Sequence, residues 1–238
     1  LGSTRGAYGR RTLGNMRGAA RSQTHTRLAA LAFNGPKAVS TQVRGHPNST
    51  RRENVSLLLN QSNRYSFLTI LLHWLTALTI PALFAVGWWM VELDYYSEWY
   101  RTAPEYHKGV GVLLLCALAV RLAVRQASAR VEPAAGTRPI EALIAHWVHL
   151  AFYALITVTC VCGYLISTAD GRPVNVFGWF EIPATITSIP DQEDLMGEVH
   201  LVLASSILGL AALHALAALK HHFLSKDATL KRMLGSRG

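Results

Sequence analysis

The chain has 238 residues, half of them apolar, and a formal net charge of +9 from 23 Lys and Arg against 14 Asp and Glu. Eleven of those bases and a single acid, Glu53, fall within the first 64 residues, so the remainder is near neutral and the charge does not imply a nucleic-acid partner. The three cysteines, Cys116, Cys160 and Cys162, all lie inside apolar runs, which argues against a disulfide framework.

Residues 1–63 are rich in Arg, Gly, Ser and Thr and have no sustained apolar period, so they are read as a disordered basic extension. Because the chain opens on Leu1, a solvated tail or an upstream extension of the reading frame is expected in preference to an Arg-rich transit peptide. His25 and His46 lie in this segment and are given no role. Residues 64–238 form the second unit. Within it four windows, 65–91, 105–125, 141–166 and 195–222, have the length and apolarity to cross a bilayer, which takes about 20 residues.

The loop "RQASARVEPAAGTRP" after the second window and the tail "SKDATLKRMLGSRG" are basic, whereas "ELDYYSEWYRTAPE" and "ADGRPVNVFGWFEIPATITSIPDQED" lean acidic. By the positive-inside rule both termini are expected in the cytoplasm, with Trp88, Trp89, Trp99 and Trp179 near the outer boundary. Pro81 falls inside the first window, where a membrane helix kinks without ending. The expected fold is all-α: an integral membrane antiparallel four-helix bundle with the lipid bilayer as its solvent. A soluble bundle conflicts with the charge alternation, and a porin-like barrel conflicts with the lack of short alternating segments.

Polar groups inside a span need partners, and the histidines supply a pattern. His200 and His214 are fourteen residues apart, which returns to within about 40° of the same helix face and separates them by about 21 Å. His73 lies about two turns from the cytoplasmic end of the first window, at the depth of His214. His107 lies within about one turn of the outer end of the second, at the depth of His200. The histidines therefore pair across helices, His73 with His214 inside and His107 with His200 outside. Two facing imidazoles form a bis-His axial site for a b-type haem, and six-coordinate ligation suits electron transfer. No C-x-x-C-H motif is present, so haem would be held non-covalently.

Gly109, Gly111 and Gly209 would let a flat macrocycle approach the backbone, although small residues also serve ordinary helix packing. Arg121 and Arg125, one turn apart at the inner end of the second window, are candidates for the inner haem's propionates or positive-inside anchors. For His146 and His149, one turn apart on the third window, several roles stay open: ligands in place of His73, a proton or quinone site, propionate contacts, or residues satisfied by neighbouring helices. His221 and His222 are read as interfacial and solvated.

The segments "HWL" from His73, "HKGVG" from His107, "VRLAVR", "AHWVHLAFYAL" and "LHALAALKHHFLSKDATLKRML" together resemble the bacterial cytochrome b561 family, small four-helix dihaem membrane cytochromes. The resemblance covers about residues 64 to 235. It implies two haem b groups, with His73 and His214 as ligands on the cytoplasmic side and His107 and His200 on the periplasmic side of the bacterial inner membrane. It also implies a quinone-linked oxidoreductase, with superoxide as the preferred periplasmic donor and ubiquinone as acceptor. Lys108, Arg101 and Arg172 are then candidates for steering a small anion to the outer site. Two other functions remain open at this point: a cytochrome b subunit linking quinone to a partner dehydrogenase or hydrogenase, and a non-redox transporter using intramembrane His.

Overall fold

The computed structural model describes residues 58–236. The basic extension expected over residues 1–63 therefore lies outside the described residues, apart from its last six. Four long helices follow: α1 (Phe67–Met90), α2 (Thr102–Ala127), α3 (Pro139–Ser167) and α4 (Gln192–Lys220). Each spans its expected window to within three residues at either end. In lipid the backbone must satisfy its own polar groups, and these apolar runs do so as helices. Pro81 stays inside α1 without ending it.

Polar residues fix the helix ends where the chain meets water. Ser66 Oγ accepts the Thr69 N–H at 3.1 Å, closing the first turn of α1. Asn60 Oδ1 accepts from the Ser66 N–H and from the Thr69 hydroxyl, each at 2.8 Å. The Asn60 N–H donates to Ser128 Oγ at 3.1 Å, tying the start of α1 to the end of α2. At α3, Pro139 occupies the first turn and Glu141 Oε2 accepts the Arg138 N–H at 3.3 Å.

The helices pack in a ring, α1 on α2, α2 on α3, α3 on α4, and α4 back on α1. Leu114 and Leu118 of α2, Ile156 of α3 and Ile207 of α4 form the buried centre. Outside it the bundle is apolar and open. Only 6–11% of each span's most apolar window is buried, so side chains such as Leu71, Leu78, Val158 and Leu213 face outward. Such a continuous apolar surface requires lipid. The molecule is an antiparallel four-helix membrane bundle.

Two features lie beyond the expected helices. The connection from α3 to α4 carries an antiparallel hairpin, β1 (Val174–Val176) with β2 (Phe180–Ile182), in which Val174 faces Ile182. Its turn places Phe177 at φ 54° and Gly178 at φ 75°, and Asn175 Oδ1 accepts the Gly178 N–H at 2.6 Å. At the other end, α4 runs into a π-helical turn over His221–Ser225; Lys226 then reverses the chain at φ 53° into the short helix α5 (Thr229–Met233). The Trp74 indole N–H donates to the Met233 carbonyl at 2.9 Å, so α5 docks against α1. These features name the two ends of the bundle, the hairpin end and the terminal end.

Candidate functional site

At the terminal end, α1 contributes His73 and the adjacent α4 contributes His214. Their ring centres are 6.3 Å apart with planes inclined by 65°. Arg121 Nη2, from α2, stands 3.0 Å from His73 Nδ1 and is the donor, since guanidinium has no acceptor; the contact would be given up for the neutral imidazole to bind a metal through Nε2. His149, from α3, lies edge-on to His214 with ring centres 5.3 Å apart. Its Nδ1–H donates to the Ala145 carbonyl one turn back, at 2.6 Å. Phe152 closes the group, 5.7 Å from His214 between ring centres.

At the hairpin end, His107 of α2 and His200 of α4 come from helices on opposite sides of the ring. Their ring centres are 6.2 Å apart, inclined by 62°. His200 Nδ1–H donates to the Thr159 carbonyl at 2.9 Å, which leaves the Nε2 lone pair free to bind a metal. His107 Nδ1 is buried with no hydrogen-bond partner. Both rings lie against glycine. A Cβ on Gly87 of α1 would stand 3.0 Å from His107 Cε1, and one on Gly163 of α3 would stand 3.2 Å from His200 Cε1. The two glycines are therefore cradles that a larger residue would fill.

The donor set matches a flat iron cofactor better than a bare ion. Two imidazoles on one metal in line, each with a metal–nitrogen bond of about 2 Å and a ring centre about 1.1 Å behind the nitrogen, have centres about 6.2 Å apart. The observed 6.3 and 6.2 Å agree with this spacing, whereas the 5.3 Å between His149 and His214 is too short for it. Among the described residues no group of three or more His, Cys, Asp or Glu could hold a metal ion. A metal between either pair would take its remaining ligands from outside these side chains, as a haem macrocycle supplies them.

The other expected residues are more scattered. Arg125, exposed, and Arg121 stand over the Tyr153 ring, with guanidinium carbons 5.6 and 6.0 Å from its centre. Lys108 is half-buried beside His107, and Arg101 is exposed where α2 begins. Arg172 forms an exposed ion pair with Asp170, whose carboxyl that hydrogen-bonded guanidinium holds below the usual carboxylate range. Its charge is locally cancelled. His146 is exposed and, among the described residues, meets only the Trp147 ring, so the third span's two histidines part company.

His221 differs from the solvated reading. Its side chain is 15% exposed and its Nδ1 lies 2.6 Å from Asp227 Oδ2, while His222 Nδ1 is buried without a partner. The π-helical turn and the reversal at Lys226 fold the chain back over both histidines, where a continuous helix would have carried them into water. Gly87, Gly163 and Thr159 were not foreseen. Their only sequence signal is a small or hydroxyl residue inside a span, which membrane helices carry for many reasons.

A family model described as "Prokaryotic cytochrome b561" matches residues 64–236. Among relatives, the chain is 46% identical to cytochrome b561 homolog 2 of Escherichia coli K12 over 176 residues, covering 74% of this chain and 94% of that protein. It is 30% identical over 176 residues to a Yersinia pestis protein named "Probable superoxide oxidase CybB", covering 72% of this chain and 96% of that one. It is 27% identical over 181 residues to cytochrome b561 homolog 1 of E. coli K12, covering 74% and 99%.

Proposed function

The chain belongs to the prokaryotic cytochrome b561 family, a family of haem-binding membrane electron-transfer proteins, and from that premise we propose that it carries electrons from periplasmic superoxide to ubiquinone in the bacterial inner membrane. In this reading both termini are cytoplasmic, as the basic connections at the terminal end suggest. The chain holds two haem b groups, one between His73 and His214 on the cytoplasmic side and one between His107 and His200 on the periplasmic side. The single observation that carries the reading is the pair of ring separations, 6.3 and 6.2 Å, at two depths along α4. Haem supplies reversible one-electron chemistry when bound.

The protein's own residues prepare that site. Gly87 and Gly163 admit the imidazoles, and the Thr159 carbonyl holds His200 through Nδ1 and leaves its Nε2 free for iron. Arg121, beside His73, and Arg125 offer charge-assisted hydrogen bonds to the carboxylates of the inner haem. Lys108 and Arg101 draw a small anion toward the hairpin end; Arg172, already paired with Asp170, adds little. In the net reaction two superoxide anions each lose one electron and leave as dioxygen. Ubiquinone gains two electrons and two protons.

The name of the Y. pestis relative supports superoxide as donor, at 30% identity. The test is superoxide-driven reduction of ubiquinone by the purified protein. His107→Ala and His200→Ala are expected to abolish it; full turnover in either variant would sink the reading.

A further inference from the structure

Cations gather at the terminal end, and among the described residues no ion pair joins Arg121, Arg125 or Arg232 to a carboxylate. Arg121 and Arg125 flank Tyr153 as described. A third guanidinium, Arg232, arrives from α5: one of its Nη1–H groups donates to the Glu132 carbonyl at 2.8 Å, and its Nε is buried with no partner. Tyr65 lies just ahead of α1, half-buried. Burial pushes its phenol up, while the charges of Arg232, Arg125 and Arg121, in that order, act in the other direction.

Two of the acids at this end are paired elsewhere, and a third meets Arg232 only through its backbone carbonyl. Glu141 pairs with Lys220, Asp227 pairs with His221, and Glu132 offers Arg232 its carbonyl. Among the described residues none of the three guanidinium groups has a carboxylate partner. Clustered, partly desolvated cations of one sign are costly unless an anion joins them.

We propose that Arg232 and Tyr65 complete, with Arg121 and Arg125, an anion clamp for the carboxylates of the inner haem, and that the C-terminal segment from the π-helical turn through α5 is the strap that carries Arg232 into it. The inference rests on the haem reading above and deepens it. It gives the reversal at Lys226 and the Trp74–Met233 bond a purpose, since both hold α5 where Arg232 can reach the cluster. Arg, with a planar fork of donors, suits a carboxylate better than Lys does.

The test uses the purified full chain and follows the two haems separately, by transfer to an apo-haem acceptor and by spectroelectrochemical titration. Arg232→Gln is expected to release the inner haem about tenfold faster, the loss of one charge-assisted hydrogen bond, and to lower that haem's potential. Arg232→Lys should fall between, and Tyr65→Phe should accelerate release without changing the local charge. The outer haem, unchanged throughout, shows that the bundle is intact. Unaltered release and potential in Arg232→Gln would overturn the clamp. So would loss of bound anionic lipid phosphorus in that variant with both haems unaffected, which would make the anion a lipid phosphate. Failure of the haem reading itself has a different signature, a His73→Ala protein that still binds two haems.

Discussion

At the scale of single residues, the glycines beside the histidines carry the strongest expectations. Gly163→Val adds bulk where a single Cβ already approaches His200 within 3.2 Å, and the neighbouring α3 backbone cannot recede without disturbing its packing on α4. The variant is expected to bind one haem instead of two, with the inner one kept; retention of both would show that the cradle is looser than the contact implies. Lys108→Glu reverses a charge beside His107. It should slow superoxide oxidation severalfold at low salt and flatten the salt dependence, because screening acts on steering charges. An unchanged rate and salt slope would remove Lys108 from the steering role. The histidines were legible because four rings in apolar sequence recur at matching depths, a pattern that survives without knowledge of contacts. The glycines were not, because a residue without a side chain announces a close approach only once the approaching atom is placed.

At the scale of elements, the terminal strap and the hairpin are the parts that helical periodicity does not foresee. The run "LKHHFLSK" continues the helical pattern, yet the chain leaves it through a π-helical turn and a left-handed Lys226. The bond between Arg232 and the Glu132 carbonyl joins residues a hundred apart, beyond any local signal. Asp227 organises this turn. Burial alone would raise its carboxyl, but hydrogen bonds from Thr229 and the contact with His221 hold it below the ordinary value of 3.8. A depressed folded-state value means a stabilising contribution that is complete above the unfolded value and lost as pH falls through the lower folded one. Trp74, bonded to Met233, reports on the strap. Its fluorescence is expected to show a transition in acid below that range which Asp227→Asn lacks; identical acid titrations in the two proteins would contradict the assignment. At the other end, the hairpin's three-residue strands are too short to register as alternating pattern, and its seat on α2 depends on Phe177 meeting Gly109, where a Cβ would stand 2.7 Å from the ring. Tyr164 pins the following segment: its hydroxyl is 2.7 Å from the Pro183 carbonyl and accepts the Thr185 N–H at 2.9 Å. Tyr164→Phe should therefore raise amide exchange over residues 183–187 while leaving α3 protected.

At the scale of the whole molecule, lipid and charge decide the arrangement. The spans were legible to within three residues because, in hydrocarbon, length and apolarity alone specify a helix. The order of the helices around the ring was less so, because lateral packing depends on which small residues meet. With the terminal end in the cytoplasm, a cysteine placed at Ser188 is expected to react with an impermeant maleimide from the periplasm and one at Ala135 is not; the opposite labelling would invert the orientation. Two cofactor sites stacked along α4, about 21 Å apart by helix rise, would make the bundle a conductor across most of the membrane. The measurement that bears most directly on this account is haem per chain, from dithionite-reduced minus oxidised spectra of the purified protein and of its His107→Ala and His73→Ala variants. Two low-spin b haems in the parent and one in each variant is the expected result. A single haem in the parent, or two in either variant, would contradict it.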